Sequence, residues 1–229
     1  MIIVGIDPGI ISVGLVCVEV SSEYELVAVL ACDAVNITLE TERKGNHVHD
    51  LITAFMKVRR PMFDAADTIV IERQPPMSAG MGLEIMFRER FGHKCVFVSP
   101  KTLHVLFNLT GFEYNARKER CVALVQHYVD KWKRAEVRGV DVLDKKLRNL
   151  DRKHDICDAI LILTAWVQTQ KSKSKSRQAT SGGPASASAS ASASASASAS
   201  ASAPVDFKMF VETFRHHGVP YTKKNPALK

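Results

Sequence analysis

Short apolar runs separated by polar breaks mark out the elements of this chain. Ile2-Ile3-Val4-Gly5-Ile6 reads as a buried strand that runs into Asp7 and breaks at Pro8-Gly9. In residues 13–20 both alternate sets are apolar, Val13, Leu15 and Cys17 against Val16, Val18 and Val20, so this strand needs cover on both faces. Residues 24–34 predict a third strand, and the short links at 8–12 and 21–23 suit antiparallel hairpins. Val48, Leu51, Ile52, Phe55 and Met56 recur at helical spacing and predict a helix over 48–59. Thr68-Ile69-Val70-Ile71 is a fourth strand that ends in Glu72. After a break at Gln74-Pro75-Pro76 and Gly80 come a helix over 83–91 and a short fifth strand over 95–98. Ser99-Pro100 opens a helix over 102–108, and further helices are predicted over 116–132 and 156–167. Three meandering strands followed by alternating units predict an α/β domain, a mixed five-stranded sheet with helices on both faces.

Composition then divides the chain. Residues 1–170 have ordinary mixed composition and form the expected domain. A basic run, Lys171-Ser172-Lys173-Ser174-Lys175-Ser176-Arg177, leads into pure Ala-Ser alternation from Ala185 to Ala203. With no large apolar residue to bury, 171–203 reads as a flexible linker. Residues 204–229 carry Phe207, Met209, Phe210, Val211 and Phe214, spaced for one amphipathic helix too short to fold alone, and read equally as a disordered tail.

The formal net charge of +7 favours a polyanionic partner. The five cysteines are scattered and mostly inside apolar runs, which reads as buried free thiols in a reducing compartment. The absence of a Cys-x-x-Cys pair argues against zinc. The first residues lack the pattern of a signal peptide, and no apolar stretch reaches membrane-spanning length. A soluble, intracellular protein without a membrane partner is expected.

Acids terminate two of the strands and open the last helix. Asp7 and Glu72 emerge at the same sheet edge if their strands pair in parallel. Asp155 and Asp158 are three apart and share a helix face, and Asp151 lies one turn earlier. Each also has a structural reading: Asp155 suits the helix dipole, Glu72 strand-end solvation, and Asp7 an Asx turn. Together they make a four-carboxylate cage for hard, oxygen-seeking divalent cations.

Ile6-Asp7-Pro8-Gly9, Ile71-Glu72 and Lys153-His154-Asp155-Ile156-Cys157-Asp158-Ala159 resemble, in order and separation, the RuvC group of Holliday-junction resolvases. The Lys-x-Asp-x-x-Asp form of the last motif and Glu72-Arg73-Gln74 look most like the branch of poxviruses and related large DNA viruses. The resemblance covers about residues 1–170 and implies a ribonuclease H-like fold. It implies that Asp7, Glu72, Asp155 and Asp158 are metal-binding catalytic acids and that Lys118 sits near the scissile phosphate. Lys118 also reads as one more cation on a solvated helix start. Lys101 and His104 lie where some members use a further lysine for DNA, and histidine there departs from the pattern.

The implied chemistry is phosphodiester hydrolysis by two magnesium ions roughly 3.5–4 Å apart, with manganese able to substitute. In that scheme Asp7 bridges both metals, and Glu72 and the helix acids hold one each. The implied substrate is a four-way DNA junction nicked symmetrically by a homodimer. The family's dimer contact falls in residues 75–91, where Met77, Met81, Leu83, Ile85, Met86 and Phe87 are otherwise core candidates. Arg88 and Arg90 lie near that segment, and Arg59, Arg60, Lys131, Lys133, Arg134, Lys145, Lys146, Arg148, Arg152 and Lys153 are candidate phosphate contacts.

Other readings stand beside this one. The strand-Asp-Pro-Gly opening also resembles the first phosphate loop of actin-like ATPases, but no second such loop follows and the chain is too short for their duplicated domain. A nuclease acting on RNA or on other branched DNA uses the same cage, and a non-catalytic junction-binding relative has little reason to keep all the acids.

Overall fold

The computed structural model describes residues 1–9, 11–39, 47–78 and 80–180. The strands are β1 (Ile2–Asp7), β2 (Val13–Val20), β3 (Leu26–Val35), β4 (Thr68–Glu72) and β5 (Cys95–Val98). They form one sheet in the order β3-β2-β1-β4-β5. β1–β2 and β2–β3 pair antiparallel, whereas β1–β4 and β4–β5 pair parallel. The helices are α1 (Val48–Val58), α2 (Arg60–Ala65), α3 (Met81–Phe91), α4 (Pro100–Leu106), α5 (Tyr114–Arg134), α6 (Val140–Asn149) and α7 (Lys153–Thr180). The expected mixed five-stranded sheet is therefore present. α4 spans 100–106 and α5 spans 114–134, against predictions of 102–108 and 116–132.

The period of two along each strand sorts side chains into two cores. Val4, Ile6, Val13, Leu15, Cys17, Ile69 and Ile71 face α1, α2 and α3. Ile3, Val16, Val18, Val20 and Val70 face α5, α6 and α7. An aromatic cluster holds the first layer, with the Phe63 and Phe87 rings edge to face at 4.9 Å. α7 fills the second with Ile156, Cys157, Ala159, Ile160, Leu161, Ile162, Leu163 and Ala165, all buried. Four of the cysteines are buried, the fifth, Cys95, is half-buried, and all are free thiols, as the scattered spacing predicts.

Two glycines let α7 lie directly on the strands. A Cβ at Gly5 would stand 2.7 Å from the Ala159 carbonyl oxygen, and one at Gly14 only 1.9 Å from that of Asp155. Both belong to the strand face that carries Ile3 and Val16, so the N-terminal turns of α7 press onto bare backbone of β1 and β2.

Three features depart from the sequence expectations. α6 was not anticipated, although Val140, Leu143 and Leu147 form its buried stripe. Its charged residues are what obscured it. α2 has six residues, too few to show a period. α7 continues to Thr180, through the basic run read as the start of a linker. Lys171 pairs with Glu25, and the Ser172 and Ser176 hydroxyls donate to the Gln168 and Ser172 carbonyls at 2.9 and 3.0 Å. These contacts leave the alternating polar segment compatible with a helix. The Ala-Ser segment and the amphipathic helix expected beyond it lie outside the described residues.

The turn between α5 and α6 covers the β3 edge. Val29 N–H donates to the Arg138 carbonyl at 2.8 Å, and Arg138 N–H donates to Val27 at 3.3 Å. Gly139 has φ 76°, and a Cβ there would stand 2.1 Å from the Val29 carbonyl oxygen. Gly139→Ala is expected to cost about 1–3 kcal/mol through strain and loss of this edge pairing, read by urea denaturation. Wild-type stability would contradict the assignment.

Candidate active site

The register of the central strands places the acids. Ile6 of β1 stands opposite Ile71 of β4 in parallel pairing, so Asp7 and Glu72 follow side by side at the carboxyl ends. Both fall on the α7 face, because Ile3, Gly5 and Asp7 share one parity and Val70 and Glu72 another that matches it. The bare backbone at Gly5 and Gly14 brings the first turns of α7 down over this end. Asp155 and Asp158 enter from that helix.

The charges of these groups are felt mutually. Burial raises Asp7 well above the usual carboxylate range, and the charges of Asp158, Glu72 and, more weakly, Asp155 add to it against Lys118. Burial likewise pushes Glu72 up to about 7, with Asp158 adding and Lys118 and the Gln74 hydrogen bond opposing. Lys118 reaches in from the second turn of α5 and pairs with Asp158. Burial lowers its affinity for a proton, but Asp158, and then Asp7, outweigh this and hold the ammonium above its ordinary value. Asp7, Glu72, Asp158 and Lys118 thus form one electrostatic unit.

Asp155 sits at its margin and is held by its own partners. Its carboxylate accepts from the Ser12 hydroxyl, pairs with Arg152 Nε at 3.1 Å and lies 3.3 Å from His154 Nε2. Asp151 is exposed in the turn before α7. Among the described residues no three His, Cys, Asp or Glu side chains stand together closely enough to hold an ion as they are. Lys118 neutralises Asp158, and Ser12 and Arg152 hold Asp155. The donor set still fits a hard divalent cation in kind: it is all carboxylate oxygen, and its negative charges crowd one another.

Sequence reasoning missed several supporting residues. Ser12 bonds Asp155 across 143 positions, a contact with no local signal. Glu84, 8% exposed, accepts from the Gln74 backbone N–H at 2.9 Å and from Arg88 at 3.0 Å. It ties the loop after Glu72 to α3, and Gln74 Nε2 donates to the Glu72 carbonyl at 3.4 Å. Arg117 is close enough for its charge to lower Glu72 slightly. His104 feels both Arg117 and Asp158, while burial, the largest influence, lowers its pKa. Lys101 is exposed on α4.

Several candidate phosphate contacts are committed elsewhere. Lys133 and Arg148 bind Asp144 at 2.6 and 2.8 Å, and Lys146 pairs with Asp33 at 2.8 Å. Arg60 holds Asp64 at 2.7 Å and Arg59 is buried, while Arg88, beside the candidate dimer segment, holds Glu84. These cations knit α5 to α6, α6 to β3, and α2 and α3 internally. The candidate dimer segment also divides. Leu83 and Phe87 are core residues and Met86 is half-buried against the core, whereas Met81 and Ile85 are exposed at 37% and 43%, and Met77 at 97%.

Among the described residues no helix is long and apolar enough to cross a membrane. The family model described as Poxvirus A22 protein matches residues 1–170. No curated protein sequence matches. Among solved structures, the fowlpox virus resolvase bound to Holliday junction DNA is similar at TM-score 0.54 and 15% identity, over 74% of this chain and 99% of that one. The yeast mitochondrial Holliday junction resolvase is similar at TM-score 0.58 and 18% identity, over 78% and 83%. At such identities the likeness is one of fold, a mixed five-stranded sheet with helices.

Proposed function

The chain belongs to the Poxvirus A22 protein family, the poxvirus family of Holliday junction resolvases, and on that premise we propose that it resolves four-way DNA junctions by paired symmetric nicks as a magnesium-dependent endonuclease. The observation that carries this reading is the meeting of Asp7, Glu72 and Asp158 with Lys118 at the carboxyl ends of two parallel strands. A cluster of half-buried carboxylates facing a polyanion is unfavourable unless cations intervene.

Asp7, Glu72, Asp155 and Asp158 would hold the metal. A divalent ion bound there supplies a Lewis acid for the phosphate and lowers the pKa of water. Asp7, on the rigid central strand, fixes the position of the site. Ser12 and Arg152 orient Asp155, and Glu84 with Gln74 fixes the backbone that presents Glu72. Lys118 supplies positive charge toward a phosphate once one occupies the site.

Two symmetric nicks call for two copies of this site, so the active form is a homodimer. The outer side of α3, with Met81 and Ile85, offers a contact that the core does not use. Ile85→Glu is expected to shift the sedimentation coefficient from dimer to monomer with little change in melting temperature. A variant that remains dimeric would place the interface elsewhere.

The test of the function is cleavage of an end-labelled four-way junction with magnesium, beside duplex, flap and RNA-containing controls. Symmetric nicks confined to the junction support the reading. Equal cutting of every substrate leaves a nuclease without junction selectivity, and tight binding without cutting leaves a binding protein.

A further inference from the structure

Large side chains that the core does not use gather where α4 leads into α5. Val105 is 62%, Tyr114 59%, Leu106 42% and Phe112 37% exposed. Two of these are rings, and each is paired with cations of α5. The Arg117 guanidinium carbon lies 5.7 Å from the Tyr114 ring centre, and Lys118 Nζ lies 5.5 Å from it. The Arg120 guanidinium carbon lies 4.2 Å over the Phe112 ring. The spacing explains the first group, since Tyr114, Arg117 and Lys118 stand at i, i+3 and i+4 on one helix face.

This face adjoins the acid cluster. Lys118 is bonded to Asp158, so a single side chain separates the Tyr114 ring from the carboxylates. Arg117 is near enough for its charge to reach Glu72. An exposed ring flanked by cations is complementary to a ligand that joins a flat π surface to phosphate, which is the chemistry of an unstacked nucleotide.

We propose that Tyr114 stacks on an unstacked base beside the scissile phosphate, with Arg117 contacting the phosphate next to it. The proposal rests on the junction-nuclease reading above and assigns Tyr114 to placing the cut strand. Duplex bases must be pulled from their neighbours before a ring can cover them, whereas a base at a branch point is more easily freed. Tyr114 therefore favours branched over linear DNA as well as speeding the cut.

The test uses the full-length chain and a four-way junction with 2-aminopurine placed on either side of the cut. Binding is read in the Asp7→Asn background with Tyr114, Tyr114→Ala or Tyr114→Phe, and single-turnover cleavage is read with Asp7 intact. The fluorescence should change at one of the two positions on binding, vanish as a response with alanine and persist with phenylalanine. Cleavage should fall about tenfold with alanine and stay close to wild type with phenylalanine.

Unchanged fluorescence response and rate with Tyr114→Ala would overturn the proposal. So would a slower cut with the fluorescence response intact, which would mean that Tyr114 acts only by steadying Lys118. Equal losses with alanine and phenylalanine would overturn it too, since the ring face is then not what matters. If the wild-type chain neither binds nor cuts the junction, the junction reading itself fails and this proposal falls with it. If the wild-type chain cuts and only the Tyr114 arm fails, the junction reading stands alone.

Discussion

Asp7→Asn is expected to abolish junction cleavage, by about a thousandfold or more, in a protein that folds as well as the wild type or better. The two halves have one cause. Asp7 is a half-buried carboxylate beside Asp158 and Glu72, and desolvation and those charges both oppose its ionisation. An amide of the same shape removes a charge that folding must desolvate, while it removes the central anionic oxygen from the donor set. Such opposition between stability and activity is usual where a site stores like charge. Cleavage rates on a labelled junction and a thermal melt check both halves. A variant that still cuts at the wild-type rate would remove Asp7 from the chemistry. One that is markedly less stable would show that its carboxylate has a structural role.

Gly14→Ala is expected to be among the most damaging single-methyl changes in the chain. The new carbon would stand 1.9 Å from the Asp155 carbonyl oxygen and 2.5 Å from its carbonyl carbon. Both belong to helix backbone, which cannot turn aside as a side chain can. The cost should exceed the ~1–3 kcal/mol usual for an overpacked core, and cleavage should fall with it, because α7 must lift at the turn that carries Asp155. Gly5→Ala is expected to do less harm, since its nearest contact is 2.7 Å from the Ala159 carbonyl oxygen. Urea denaturation of the two variants gives the order. Wild-type stability for Gly14→Ala would mean that α7 does not rest on β2 as described.

Much of this arrangement was legible because the strands are nearly pure apolar runs. In β1 and β4 each run ends on an acid, which assigns Asp7 and Glu72 to one sheet edge once the strands pair in parallel, while the register that puts them on a common face is set by the fold. The apolar length of α7 showed that it lies against the sheet, and the three-residue interval showed that Asp155 and Asp158 share its face. The glycines were harder to interpret. Gly5 and Gly14 look like weak points in strands until the helix crossing them is known. α6 was lost because its stripe of Val140, Leu143 and Leu147 is interrupted by charges that read as surface for DNA. Of those charges, Arg148 instead binds Asp144 one turn earlier on the same helix, and Lys146 binds Asp33 of β3. Ser12 and Glu84 had no signal at all, since each acts through a contact that only the folded chain creates.

Digestion of a supercoiled plasmid bearing an extruded cruciform, with magnesium and the full-length chain, distinguishes junction resolution from general nicking. Paired nicks across a four-way junction convert the plasmid to a linear form cut at the cruciform. Linear product from the wild type, and none from Asp7→Asn, is the result expected of a junction-resolving dimer. Nicked circles with breaks scattered around the plasmid, or an untouched plasmid that the protein nonetheless binds, would contradict it.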